Sequence, residues 1–242
     1  MEHKKSKKQP SRRRNISILK KKILIFSSIF VLAAILFKKP IVKKVKNKLN
    51  TILTDFVNTL RNTALSEYEA WKSGSTKEGN SATIERLRKY WKEGVGITNW
   101  SDDKMTDEAW SAAFISYIMK KSGAGSEWKY SPSHSTYIVD SIKNRKENNS
   151  NSFKGYKPKE VKLEIGDLVG KARQSGVNYD TKGNYKSHTD VVVNIKDGVA
   201  DTIGGNVRNS VSLTKIPLDA NGKIDNSKVS GNKYFVVIKN KK

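Results

Sequence analysis

Hydrophobic and polar positions follow three regimes along the chain. The first is an unbroken uncharged run from Ile23 to Phe37 (ILIFSSIFVLAAILF), fenced by Lys20-Lys21-Lys22 on one side and Lys38-Lys39-Pro40 on the other. The second regime is helical. Apolar residues fall at 42, 45, 49, 52, 53, 56 and 60, steps of mostly three and four that mark an amphipathic helix. Further helices are predicted over 82–92, ended by Gly94 and Gly96, over 107–122, stopped by Gly123, and over about 134–144 behind Ser133 as a cap. A polar loop is read at 145–160. After it the period drops to two, and strands are predicted over 166–173, 189–196, 198–203, 210–216 and 233–239, separated by Asp-, Asn- and Gly-rich turns. Helices first and a meander of strands afterwards predict an α+β domain with its helices packed on an antiparallel sheet.

The uncharged run sets the expected organisation. Fifteen helical residues span only about 22 Å, short of the ~30 Å hydrocarbon core of a bilayer. Lysines at both ends can snorkel to the interfaces, and thinning of the bilayer covers the rest. The expectation is therefore a single transmembrane anchor at 23–37, inserted with its N-terminus in the cytoplasm and the C-terminal domain on the outer face. A signal peptide cut near Val31-Leu32-Ala33 and a buried cytosolic helix are the rival readings. The predicted parts are a basic tail over 1–22, the anchor over 23–37, an amphipathic stalk helix over 38–64, and one globular domain over 65–242. The stalk is under three heptads long, too short to assign a coiled coil, so the oligomeric state stays open.

Charge sharpens this division. The chain of 242 residues carries a net +24, yet residues 1–50 alone hold 16 Lys/Arg against a single acid, Glu2. The basicity is largely a property of the tail, and nucleic acid is not an expected partner. There is no cysteine, which excludes disulfides, thiolate-bound metal and a thiol nucleophile. No metal and no cofactor are expected. Asp219 to Asp225 resembles a calcium loop only faintly, with Ile224 in place of the required glycine, and reads as a hairpin loop.

Candidate chemistry gathers in three segments. Ser111 follows Trp110 near the start of the 107–122 helix, where unpaired N–H groups and positive potential favour an oxyanion. His188 opens a strand, and Asn206 follows Gly204-Gly205. A Ser–His–Asn order suits a nucleophile, a base and a residue that orients the imidazole. Spacing does not bring the three together, and each residue also has a local explanation: a helix-start serine, an exposed strand-start histidine and a turn asparagine.

The blocks Trp110-Ser111-Ala112-Ala113-Phe114-Ile115-Ser116, Ser131-Pro132-Ser133-His134-Ser135-Thr136-Tyr137-Ile138, Ile165-Gly166-Asp167-Leu168-Val169, His188-Thr189-Asp190-Val191-Val192 and Ile203-Gly204-Gly205-Asn206-Val207 resemble, in this order, the bacterial DUF2272 family. That family resembles the CHAP and NlpC/P60 amidases and endopeptidases of papain-like fold. The resemblance implies a papain-like domain in which Ser111 stands where such enzymes carry a nucleophilic cysteine, His188 is the base and Asn206 orients it. Trp110, His134, Asp190 and Gly205 lie in the same blocks and are assigned to substrate binding. The implied activity is hydrolysis of an amide bond in peptidoglycan or another cell-envelope peptide. The alternative is a module that has lost its thiol and binds wall peptides, or an envelope protein, without cutting. A third reading makes the stalk the working part, pairing with itself or with a partner helix.

Overall fold

The computed structural model describes residues 40–242, with side chains from Asp55 onward. A long helix, α1 (Pro40–Ala70), is followed by α2 (Ser81–Lys89), which runs into a π turn at Tyr90–Gly94. Next come α3 (Asp102–Asp107), α4 (Ser111–Lys121) and α5 (His134–Lys146). The strands are β1 (Phe153–Tyr156), β2 (Leu168–Ala172), β3 (Ser187–Lys196), β4 (Val199–Gly204), β5 (Ser212–Pro217) and β6 (Tyr234–Asn240). They form one sheet in the order β1-β6-β2-β3-β4-β5, with every pairing antiparallel. The α+β architecture and the antiparallel sheet agree with the sequence pattern.

One part of the expected architecture is corrected. No helix among the described residues is long and apolar enough to cross a membrane. The helix α1 has the length, but Lys43, Lys44, Lys46, Lys48, Asp55 and Arg61 recur too closely along it to leave an apolar span. The run at 23–37 and the basic tail lie outside the described residues.

Alternation along the strands splits the interior in two. One apolar cluster joins the helices to the inner face of the sheet through Val191, Val193, Ile203, Val236 and Ile238. The second lies on the other face, around Val169, Val192, Ile216, Tyr234 and Val237, and is covered by the segments around Leu163, Leu218 and Ile224. The compact unit begins at Ile52, not at residue 65. Phe56, Leu60 and Ala64 of α1 sit one turn apart, are buried, and belong to the first cluster. Buried Glu67 extends the same stripe, accepting a hydrogen bond from Arg86 at 2.9 Å and another from the Tyr90 hydroxyl. The second half of the expected stalk is therefore a wall of the domain.

Two differences at element boundaries bear on the site. The single helix expected over 107–122 is two helices. Ser101 caps α3 by accepting from the Lys104 N–H at 3.3 Å, and that helix ends at Asp107. The chain then turns at Glu108–Trp110, and α4 starts afresh at Ser111. The loop expected at 145–160 contains β1, a four-residue edge strand paired only with β6. Its Phe-Lys-Gly-Tyr sequence is too short to show a period.

Candidate functional site

Ser111 is the first residue of α4, a helix buried from Ser111 to Met119. The N–H of Phe114 is the first to find a helical acceptor, the Trp110 carbonyl at 2.9 Å. The N–H groups of Ser111, Ala112 and Ala113 precede that bond and point out of the helix start, with the positive end of the helix dipole behind them. Trp110 fixes this start from beneath. It is fully buried, stacks on Trp71 and Tyr90 at ring centroid distances of 5.0 and 5.8 Å, and donates its indole N–H to Glu78. The residue assigned to substrate binding is thus core.

The side chain facing Ser111 is His134, the first residue of α5. Ser111 Oγ lies 2.6 Å from His134 Nε2. This pairing is built by Ser116, one turn further along α4. Its hydroxyl donates to the Ser131 carbonyl at 3.0 Å and accepts from the Ser131 N–H at 3.1 Å, which ties the entry of α5 to α4. Ser131 Oγ in turn accepts from the Ser133 N–H at 3.0 Å and donates to Thr136 at 3.0 Å. Ser133 occupies the cap position without making the expected side-chain cap; its hydroxyl bonds that of Ser135 at 2.9 Å.

Behind the imidazole stand two hydroxyls. His134 Nδ1 is 2.7 Å from Thr189 Oγ1 and also contacts the Tyr137 hydroxyl, and these two hydroxyls bond each other at 2.8 Å. In the tautomer that carries its proton on Nδ1, the ring donates to this hydroxyl pair and Nε2 accepts from Ser111. Burial, reinforced by repulsion from His188 and Arg173, holds His134 well below the ordinary histidine range. The imidazole is neutral at pH 7, the form a general base requires. Ser111 and His134 keep 8% and 6% of their surface exposed, so access is narrow.

His188 is close but differently engaged. Its ring centroid is 5.4 Å from that of His134, and its Nε2 is 2.7 Å from Asp190 Oδ1. Among the described residues Ser111 makes no hydrogen bond to it; the imidazole that Ser111 meets is that of His134. Asp190 is buried, which pushes its carboxyl up, but His188, Lys171 and Arg173 outweigh burial and hold it below its ordinary value. It is an ionised carboxylate locked to a histidine, and its second oxygen finds no partner among the described residues.

The Gly-Gly pair makes room for both groups. A Cβ on Gly204 would fall 1.8 Å from Asp190 Oδ1, and one on Gly205 would fall 2.5 Å from Phe114 Cβ and 2.8 Å from the Trp110 ring. Gly204 therefore admits the His188–Asp190 pair, and Gly205 lets the β4 turn close onto α4. Asn206 sits past this turn, half-buried at φ +54°, and among the described residues it hydrogen-bonds neither histidine. Tyr137 and Thr189 are the participants that sequence reasoning missed. Both lie in the blocks carrying the resemblance, and Tyr137 is three residues from His134, on the same helix face. Among the described residues no group of three His, Asp or Glu could hold a metal ion.

The family model of DUF2272, described as an uncharacterized protein conserved in bacteria, matches residues 77–239. No curated protein and no solved structure matches the chain. The matched span holds every residue of the Ser111 site, whereas the buried half of α1 precedes it.

Proposed function

We propose that this chain, which belongs to the DUF2272 family, is a hydrolase of amide bonds in peptidoglycan peptides, with Ser111 as nucleophile and His134 as base. The single observation that carries the proposal is the 2.6 Å contact between Ser111 Oγ and His134 Nε2 at the start of a buried helix. Ser111 Oγ attacks the carbonyl carbon while its proton passes to Nε2. The negative oxygen that forms is met by the free N–H groups at the start of α4. The imidazolium returns the proton to the leaving amine as the C–N bond breaks. Water, deprotonated by the same imidazole, then attacks the ester carbonyl, and the imidazolium returns that proton to Ser111 Oγ as the C–O bond breaks and the acid leaves. The peptidoglycan substrate rests on the resemblance of the five sequence blocks. The acyl-transfer chemistry rests on the geometry.

A second reading, a module that binds envelope peptides without cutting them, is favoured by one feature of the same site. The imidazole is backed by hydroxyls rather than a carboxylate, so an imidazolium has no nearby counter-charge on Nδ1. The test uses the full chain with purified peptidoglycan, reading released fragments by mass spectrometry beside Ser111→Ala and Ser111→Cys. Fragments with new amine and carboxyl ends from the wild type, absent with Ser111→Ala, support hydrolysis. Saturable retention on peptidoglycan with no fragments supports the binding module.

A further inference from the structure

A cleft of about 730 Å³ opens beside Tyr234, lined by the end of β2 at Lys171 and Arg173 after it, by β5, and by the loops around Lys77, Arg208 and Lys228. Six cationic side chains line it, Lys77, Lys171, Arg173, Arg208, Lys215 and Lys228, and no carboxylate does. Two are neutralised locally, Lys215 by Asp201 at 2.8 Å and Lys228 by Asp225 at 3.1 Å. Among the described residues the other four have no ion-pair partner within 4.0 Å. Lys77 donates to the carbonyls of Gly74 and Arg208, each at 3.1 Å. Lys171 rests 5.8 Å from the Tyr234 ring centroid. The Asp190 carboxylate acts on Lys171 and Arg173 from beneath, and even so a net positive charge faces the cleft.

The wall carrying Arg208 is preorganised. Asn206, Arg208 and Asn209 all hold positive φ, +54°, +54° and +59°, a conformation that asparagine adopts readily but arginine keeps only where the surroundings impose it. Those surroundings are the 74–78 segment, which grips the loop through Glu78 N–H to the Asn209 carbonyl at 2.8 Å and Ser210 Oγ to the Thr76 carbonyl at 2.7 Å. An exposed arginine on a loop held in strained backbone, facing Lys171 and Arg173 across a cleft, is arranged to receive anions rather than to stabilise the fold.

We infer that this cleft binds a chain of phosphate groups, a phosphodiester polymer without bases, held by Lys77, Lys171, Arg173 and Arg208. The Thr214 hydroxyl lines the same cleft and supplies a neutral donor. Bases would need aromatic platforms, but the aromatic rings of the cleft are Tyr68, half-buried, and Tyr234, 4% exposed, so neither offers a free face for stacking. None of the residues lining it hydrogen-bonds Ser111 or His134, while Arg173, one of its cations, also acts on His134 through its charge.

The test must separate the cleft from the basic tail, whose 16 Lys/Arg over residues 1–50 attract any polyanion. Full-length protein is titrated calorimetrically with poly(glycerol phosphate), inorganic polyphosphate and oligo(dT) over a series of salt concentrations. Two triple variants of equal charge change are compared: Lys171→Gln/Arg173→Gln/Arg208→Gln in the cleft, and Lys92→Gln/Lys129→Gln/Lys182→Gln at exposed positions elsewhere. The expected result is a tenfold or greater loss of poly(glycerol phosphate) affinity for the cleft variant only. Its log–log salt slope should fall by about 2, at roughly 0.7 for each lost phosphate contact. Equal losses in both variants would assign binding to net charge and overturn the inference. So would absence of binding by the wild type, or a cleft-dependent preference for oligo(dT).

Discussion

Replacing His134 by alanine separates the base that the geometry supplies from the base that the sequence suggested. Among the described residues Ser111 Oγ has one hydrogen-bond partner, His134 Nε2 at 2.6 Å, and His188 is turned to Asp190 at 2.7 Å. Removing the imidazole leaves the serine with no base. General-base assistance contributes about 10²- to 10⁴-fold, or roughly 3–5 kcal/mol of barrier. The fold should survive, because the Tyr137 and Thr189 hydroxyls keep their mutual bond at 2.8 Å and are not orphaned. The assay is the second-order rate of covalent labelling of Ser111 by a fluorophosphonate, followed by intact mass and normalised to folded protein. His134→Ala should label about 10²- to 10⁴-fold more slowly, and His188→Ala within tenfold of wild type. The pH profile adds an independent check. A base with the ordinary histidine pKa of about 6.5 would lose half its rate there, whereas buried His134, held well below that value, should keep most of its rate at that pH. Wild-type labelling by His134→Ala, or loss of labelling confined to His188→Ala, would refute this assignment.

Three further outcomes follow from the packing. Gly204→Ala places a methyl group 1.8 Å from Asp190 Oδ1 and should destabilise by about 1–3 kcal/mol while displacing His188, visible as a lower urea midpoint and shifted histidine resonances; an unchanged midpoint would contradict the placement. Leu60→Ala should cost about 2–5 kcal/mol, since Leu60 is fully buried, and a fragment starting at residue 65 should fail to fold by circular dichroism. Burial raises Asp167 to about 7 despite Lys239 at 2.7 Å. The folded state then holds this proton more tightly than the unfolded chain, so stability falls as pH rises from about 4 to 7, by at most roughly 4 kcal/mol. Urea melts at pH 5 and pH 8 should show this slope in the wild type and its loss in Asp167→Asn.

Much of this protein was legible in its sequence, and the legible part is the periodic part. The change from helical to alternating spacing after residue 160 located five of the six strands among the described residues, and the α+β class with them, because burying one face of a strand demands a period of two. Ser111, His134, His188, Asp190 and Gly204-Gly205, which the structure gathers together, were singled out in the sequence through the blocks that carry the family resemblance. Their roles were not. That Ser111 meets His134 and not His188 depends on the reciprocal bonds of Ser116 with Ser131, which join segments 15 residues apart and turn α5 toward α4. That Asp190, rather than Asn206, holds His188 depends on the pleat, which puts i and i+2 on one side of β3, and on a glycine across the strand that leaves room. The stalk's second half belongs to the domain for a similar reason: an amphipathic stripe states that a helix has a partner but not which one. Periodicity is a local property of the chain and can be read from it. Which faces meet, and which side chain a serine finds opposite, is settled only when the whole core closes.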